Sequence, residues 1–375
     1  MTSLFEPYRF GRAATVLANR AVMAPMTRVR STSQVADELQ AEYYAQRASA
    51  GLIIGEGTYV SPAGRGFAAV PGIWKDAQVD GWRQVTDAVH GAGGRIIAQL
   101  WHCGRVSHTA LQPSNAAPVS STSTRAERAK CYIFDSRGEA RFTEPGEPVG
   151  LDAEGIAETI ADFGRAAANA VAAGFDGVEI HGANGYLIEQ FINPLVNDRT
   201  DEWGAATVAD RLKFPLAVTD AVLEAVRAAE PESFAVGMRM SPYGTVNGMP
   251  LYDDIETTYV TLGRELGERG LDFVHVADQS STTTHPTPPV PEVFLRHLRE
   301  EFIGDVIFTG GQDAESAQAM LDTGLVDLVG FGRPFIANPD LVRRMREGLP
   351  LAEAREDLIY AQGEAGYLDY PEYRA

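Results

Sequence analysis

FDGVEIHGANGYLIEQFIN, residues 175–193, opens as a short apolar run of Phe175, Gly177, Val178 and Ile180, interrupted by Asp176 and Glu179. A strand buried on both faces of a parallel sheet has this composition. The run stops at His181-Gly182-Ala183-Asn184-Gly185-Tyr186, where two glycines permit a sharp turn and three polar side chains gather within six residues. His181 and Asn184 are neutral hydrogen-bond donors at pH 7, and Tyr186 is a phenol with a proton to give. Two donors for one oxygen beside a weak acid suit a reaction that polarises a substrate and then protonates it. A lone histidine here would more simply satisfy a backbone carbonyl. The trio at a strand end favours a catalytic loop.

Outward from this stretch the same unit repeats. Upstream, Asp152 caps a helix with apolar spacing Ile156, Ile160, Phe163, Ala167 and Val171. Before it come strands at 19–25, 51–57 and 95–101, separated by helix-like segments over Ser33–Ala50 and Asp76–Ala92. Downstream, strands at 234–240, 273–276, 306–309 and 326–331 alternate with helices around 212–226, 255–269, 291–302 and from Asp313 to Gly324. A last helix starts at Asn338-Pro339-Asp340. Eight strand–helix units predict an α/β fold, a single (β/α)8 TIM barrel, in preference to an open doubly wound sheet. The chain has 375 residues, and its excess over a barrel's usual ~250 falls in three places. These are an N-terminal hairpin in residues 4–18, a long excursion over residues 102–150 after strand three, and the tail. The excursion is rich in proline and carries its own expected hairpin near Cys131–Phe142. No linker or repeat divides the chain, so residues 1–375 are expected to form one domain.

With 45% hydrophobic and 22% charged residues the chain can bury a large core. Acidic residues outnumber basic ones 51 to 32, a net charge of −19 with no basic run, which argues against a nucleic-acid partner. No stretch approaches the ~18 apolar residues of a membrane span, so no membrane partner and a cytoplasmic location are expected. Cys103 and Cys131 fit no metal or disulfide pattern.

A barrel gathers its site at the C-terminal ends of its strands. Thr27, Gly57, Gln99, His102, the His181–Tyr186 loop, Arg239, Gly310-Gly311 and Gly332-Arg333 all fall there. The two glycine sets follow strands seven and eight, the usual place for a phosphate, and Arg333 adds a forked cation. A phosphate at that end, with Gln99, Arg239 and His181 facing a planar ring, describes a phosphorylated heterocycle such as FMN. His102 and His108 lack a carboxylate at ligand spacing and read as a pocket-wall residue and a loop hydrogen-bonder.

These residues carry a resemblance. Asn19-Arg20 with Ala24-Pro25-Met26-Thr27-Arg28, Gln99-Leu100-Trp101-His102-Cys103-Gly104-Arg105 and His181 to Leu187 resemble the Old Yellow Enzyme family of flavin-dependent ene-reductases. So do Asn197 to Asp201, Phe331 to Pro339 and Gly366 to Pro371. The resemblance implies noncovalently bound FMN, NADPH or NADH as reductant, and hydride transfer to activated alkenes such as enones, maleimides and nitroalkenes, extending to nitro compounds and nitrate esters. It implies that Pro25, Met26 and Gly57 contact the flavin and that Thr27 bonds near its reactive edge, marking the threonine-bearing branch. Gln99 and Arg239 then hold the pyrimidine end, with His181 also against the flavin. Gly310, Gly311, Gly332 and Arg333 bind the phosphate, and His181 and Asn184 grip the substrate oxygen while Tyr186 protonates it at carbon. Phe67, Trp101 and Tyr360 are expected to line the substrate pocket. Two departures stand out: Glu202-Trp203-Gly204 replaces the family's usual Tyr-Gly-Gly pattern after Asp201, expected to alter only a helix start, and Phe67 occupies a place often held by tyrosine. Competing readings are a metal-assisted hydrolase using His102, His181 and His275, and a catalytically silent flavin-binding barrel. The protein is expected to act on a small molecule as a monomer or homodimer.

Overall fold

The computed structural model describes residues 3–281 and 286–374. Eight parallel strands close a barrel: Ala21–Met23, Leu52–Tyr59, Ile96–Trp101, Gly177–Gly182, Ala235–Met240, Phe273–Ala277, Asp305–Thr309 and Leu328–Phe331. The last pairs with the first, Phe331 opposite Met23, so no edge is left open.

Side-chain alternation builds the interior in layers. At the N-terminal end, Val22, Ile54, Ile97, Phe273, Ile307 and Leu328 point inward and pack together. The antiparallel hairpin Tyr8–Phe10 with Thr15–Leu17 plugs this end, as Phe10 and Leu17 join the cluster and Phe10 stands 5.2 Å from Phe273. Asp305 fixes the plug by accepting from the Tyr8 hydroxyl and the Gly11 N–H. Burying each such aliphatic or aromatic side chain contributes roughly 1.5–3 kcal/mol, so the plugged layer adds substantially to the barrel's stability. Outward-facing Ile53, Val178, Ile180, Val274 and Val329 pack under the helices in a second, larger cluster.

Helices Asp76–Gly91, Ala153–Ala172, Ile255–Arg269 and Glu292–Glu301 lie close to where periodicity places them. Asp152 accepts from the Gly155 N–H, and Asp313 forms a capping box with Ser316. Thr207 does the same for Val208–Ala229, so the divergent segment after Asp201 leads into a well-capped start. The helix expected over Ser33–Ala50 is shorter, Glu38–Ala45, because Gln34 adopts a left-handed conformation (φ 62°) and Asp37 is the extended N-cap. The last helix is Leu341–Glu347. Asp340 is its N-cap residue, but its side chain bonds no helix N–H and accepts instead from Arg344 Nε and the Tyr373 N–H. A short helix unmarked in the sequence pattern, Arg333–Ala337, follows strand eight.

The excursion forms the expected hairpin, Cys131–Phe134 against Ala140–Thr143. Gln190 ties it to the catalytic-loop side of the barrel: its Oε1 accepts from Ser120 and the Arg105 N–H, and its Nε2 donates to the Cys103 and Gly185 carbonyls. No helix among the described residues is long and apolar enough to cross a membrane.

Candidate active site

A cavity of about 380 Å³ opens at the C-terminal mouth of the barrel. Pro25, Met26, Thr27, Phe67, Gln99, Trp101, His181, Asn184, Tyr186, Arg239, Gly332, Arg333 and Tyr360 all line it, although they come from the ends of six strands and the tail. A second cavity of about 470 Å³ shares Asn184, Arg239, Gly332 and Arg333 with the first and adds Gly310 and Gly311. Two predicted residues lie elsewhere. Gly57 stands behind Trp101, where a Cβ would come within 2.3 Å of the indole, so its role is to let that ring lie flat. His102 is buried outside the cavity lining, its Nδ1 accepting from the Gly104 N–H and its Nε2 without a partner. His108 accepts from the Ala110 N–H and caps a short turn, as a loop hydrogen-bonder should.

The loop after Gly177–Gly182 turns through two consecutive left-handed residues, Asn184 (φ 59°) and Gly185 (φ 73°). Asparagine tolerates this conformation. At Gly185 a Cβ would lie 2.6 Å from the Val246 carbonyl, so glycine is required there on two counts. The buried Glu189 carboxylate holds the turn by accepting from the Gly185 N–H at 2.7 Å and the Ser241 hydroxyl at 2.9 Å. Ser241 in turn accepts from the Asn184 N–H at 2.8 Å. Burial raises Glu189 to about 7, against these hydrogen bonds, which oppose the rise.

The electrostatics follow from enclosure. His181 is only 4% exposed, and burial holds its imidazole well below the ordinary range, with the Arg239 charge acting the same way. It is therefore neutral, and its Nδ1 has no partner. Tyr186 meets the Trp101 ring at 4.9 Å and the His181 ring at 5.2 Å, both edge-on, and this enclosure raises its phenol well above 10. Arg239 is 8% exposed, and its guanidinium makes no hydrogen bond to any described residue, leaving Nε unpartnered. A buried guanidinium with free donors calls for acceptors from a ligand.

The site fits FMN on these grounds. Arg239 supplies unsatisfied donors to an electron-rich ring edge, and Gln99 beside it supplies an amide. At the other end, a Cβ on Gly310 would fall 2.5 Å from that of Asp278, and one on Gly311 (φ 66°) 2.7 Å from Ser281. Bare backbone with Arg333 alongside is a cradle for a phosphate. The metal reading finds no support: His275 is fully buried between Glu179 and Thr309, and among the described residues no three His, Cys, Asp or Glu side chains are grouped to hold an ion.

The hairpin shapes the entrance. Tyr132 donates to the Tyr360 carbonyl, Phe142 meets Tyr360 at 5.2 Å, and Phe67, Phe142, Asn247 and Tyr360 line an outer cavity of about 1030 Å³. Sequence reasoning passed over Glu179, Glu189, Ser241, Asn247 and Gln279. Their only signal was polarity inside or just beyond buried strands.

The sequence model of the NADH:flavin oxidoreductase / NADH oxidase family matches residues 3–352. 12-Oxophytodienoate reductase 7 of Oryza sativa subsp. japonica is 39% identical over 386 residues, covering 98% of this chain and 94% of the relative. Morphinone reductase in complex with tetrahydroNAD superposes with a TM-score of 0.92 at 42% identity, covering 100% of this chain and 98% of that one. An old yellow enzyme homologue from Zymomonas mobilis gives 0.90 at 38% identity, covering 99% and 100%.

Proposed function

This chain belongs to the NADH:flavin oxidoreductase / NADH oxidase family, as a member of its Old Yellow Enzyme group, and from that premise we propose how its own residues divide the work. It is an FMN-dependent ene-reductase driven by a nicotinamide. When bound, FMN supplies the hydride chemistry, accepting from NAD(P)H and donating to the β-carbon of an activated alkene.

Gln99 and Arg239 hold the pyrimidine end of the cofactor, and the guanidinium there favours the negative charge of the reduced form. Thr27 bonds near the reactive edge, Pro25 and Met26 contact the ring, and Gly310, Gly311, Gly332 and Arg333 cradle the phosphate. His181 and Asn184 direct neutral donors at the substrate's carbonyl or nitro oxygen. They stabilise the charge that develops there, in surroundings where two such bonds are worth more than in water. Tyr186 delivers its hydroxyl proton to the α-carbon, so one hydride and one proton add across the double bond. Trp101 buttresses Tyr186, while Phe67 and Tyr360 border the alkene's path inward.

One observation carries this reading: His181, Asn184, Tyr186, Gln99 and Arg239 line a single cavity that continues into the glycine cradle. Purified protein should be yellow, release FMN on heating, bleach anaerobically with NADPH or NADH, and regain colour with an enone. A yellow protein that no nicotinamide bleaches would overturn it in favour of a silent flavin binder.

A further inference from the structure

Directly beneath His181 and Arg239 the barrel interior changes character. Two residues on from the apolar plug layer of Ile97, Phe273 and Ile307 stand Gln99, His275 and Thr309, with Glu179 between them on the intervening strand. Gln99 Nε2 donates to Glu179 Oε1 at 2.7 Å, His275 Nδ1 lies 2.6 Å from Glu179 Oε2, and His275 Nε2 lies 2.7 Å from Thr309 Oγ1. Glu179 and His275 are fully buried, and Gln99 is 3% exposed. Gly330 is bare where a Cβ would strike Thr309 Oγ1 at 1.9 Å, so the barrel makes room for the far end of the chain of bonds.

Burial lowers the His275 imidazole from its ordinary range, so the ring is neutral and only one of its nitrogens carries a hydrogen. An ionised carboxylate only accepts, so Nδ1 of His275 carries the hydrogen and Nε2 accepts from the threonine hydroxyl. By the same rule Gln99 must offer its NH₂ to Glu179. Its Oε1 and second N–H are then left to face the cavity that Gln99 lines. A glutamine held this way matches a ring edge that presents an N–H next to a carbonyl, which is an imide. Glu179 is also the negative charge that acts on the otherwise unpaired Arg239.

We propose that Glu179, braced by His275 and Thr309, is a positioning residue that fixes the orientation of the Gln99 amide and places a buried negative charge under Arg239. It thereby sets both the imide selectivity and the reduction potential of the flavin. The inference rests on the assignment of Gln99 and Arg239 to the cofactor.

Glu179→Gln tests it at constant shape. Its amide has an N–H to offer Gln99 Oε1, so the orientation is no longer unique, and the negative charge is gone. FMN should bind the apoprotein at least tenfold more weakly by fluorescence titration. The preference for FMN over its N3-methyl analogue should shrink at least fivefold. The midpoint potential of bound FMN at fixed pH should move positive by about 30 mV or more, the equivalent of tenfold for two electrons. His275→Leu removes the brace from the same carboxylate while leaving its charge and should shrink the imide selectivity in the same direction, which keeps the test alive if Glu179→Gln does not fold. Wild-type selectivity and potential in a folded variant overturn the proposal while leaving the site assignment intact. Unchanged FMN affinity in a parallel Gln99→Ala variant would instead overturn the assignment on which it stands.

Discussion

Gln279 Nε2 donates to Asn184 Oδ1 at 2.9 Å, and this single bond decides which end of the Asn184 amide faces the cavity. With its oxygen engaged, Asn184 turns Nδ2 inward, where it stands with His181 as a donor. The Asn184 backbone is held separately, its carbonyl accepting from Asn247 Nδ2 at 2.8 Å. Orientation and position of the residue are therefore set by different partners.

Gln279→Glu should accordingly be more harmful than Gln279→Leu. A glutamate can only accept, so it would recruit Nδ2 and turn Oδ1 toward the substrate oxygen, replacing attraction by repulsion. Leucine frees the amide and removes the acceptor of the Val246 N–H, without reversing Asn184. Phenol binding, followed through the flavin spectrum, should weaken roughly 5-fold with leucine and up to about 150-fold with glutamate, in line with about 1–3 kcal/mol for a mispaired buried polar group. FMN content should be unchanged in both. Equal affinities in the two variants would show that the Asn184 orientation does not matter.

Arg333→Ala should loosen FMN without slowing chemistry once flavin is saturating. The phosphate end is remote from the reacting atoms, so the loss is uniform binding energy, about 1.5–3 kcal/mol for a charged hydrogen-bonding group, or roughly 10- to 150-fold in affinity. Gly311→Val adds backbone strain at φ 66° and a clash with Ser281, and should release FMN further. Equilibrium dialysis of the apoproteins measures both, and a wild-type dissociation constant would remove Arg333 from the cradle.

Acid stability should expose His102. Burial lowers its imidazole from 6.5 to about 3, so below pH 6.5 the unfolded chain takes up a proton that the folded chain refuses. Stability therefore falls with pH over the window from 6.5 to 3, by about 1.4 kcal/mol per pH unit for one such group. The raised carboxylates Glu56 and Glu189, each near 7, act with the opposite sign above pH 4.5 but equally in wild type and variant. His102→Asn keeps an acceptor for the Gly104 N–H and cannot titrate. Urea unfolding at pH 6.0 and 4.5 should show the wild type losing about 2 kcal/mol more than the variant, and a constant difference would refute the assignment.

The barrel was legible because each strand is an apolar run between amphipathic helices, and the closing order then follows from connectivity. The His181–Asn184–Tyr186 loop was legible because its polar residues are adjacent in sequence. What escaped were relationships spanning the barrel: Glu179 meets His275 across 96 residues, and Gln279 meets Asn184 across 95. A carboxylate inside a buried strand reads as a mere interruption until its partner is seen. Gly57 escaped for a different reason. A register shift between Ile54 and Gly57 re-aims the end of the second strand, which periodicity cannot anticipate, and sets the glycine behind Trp101.

The sharpest test falls on Tyr186. In the proposed mechanism hydride reaches the β-carbon while His181 and Asn184 hold the substrate oxygen, and the α-carbon then needs a proton. Tyr186 lines the same cavity, and its raised phenol stays protonated throughout the neutral range, so the proton is present whenever substrate arrives. Tyr186→Phe keeps the ring and its edge-on contacts with Trp101 and His181, so FMN content and stability should remain close to wild type. Reduction by NAD(P)H requires no proton at that carbon and should keep its rate. Reoxidation by an enone should slow by roughly 10²–10⁴, the usual cost of losing a general acid. Nitroalkenes should suffer less, because the nitronate formed on hydride transfer is stable enough to leave and be protonated in solution. Stopped-flow measurement of both half-reactions separates these outcomes. Enone reoxidation at the wild-type rate would mean that the proton comes from water or another side chain, and that Tyr186 serves only to shape the wall beside Trp101.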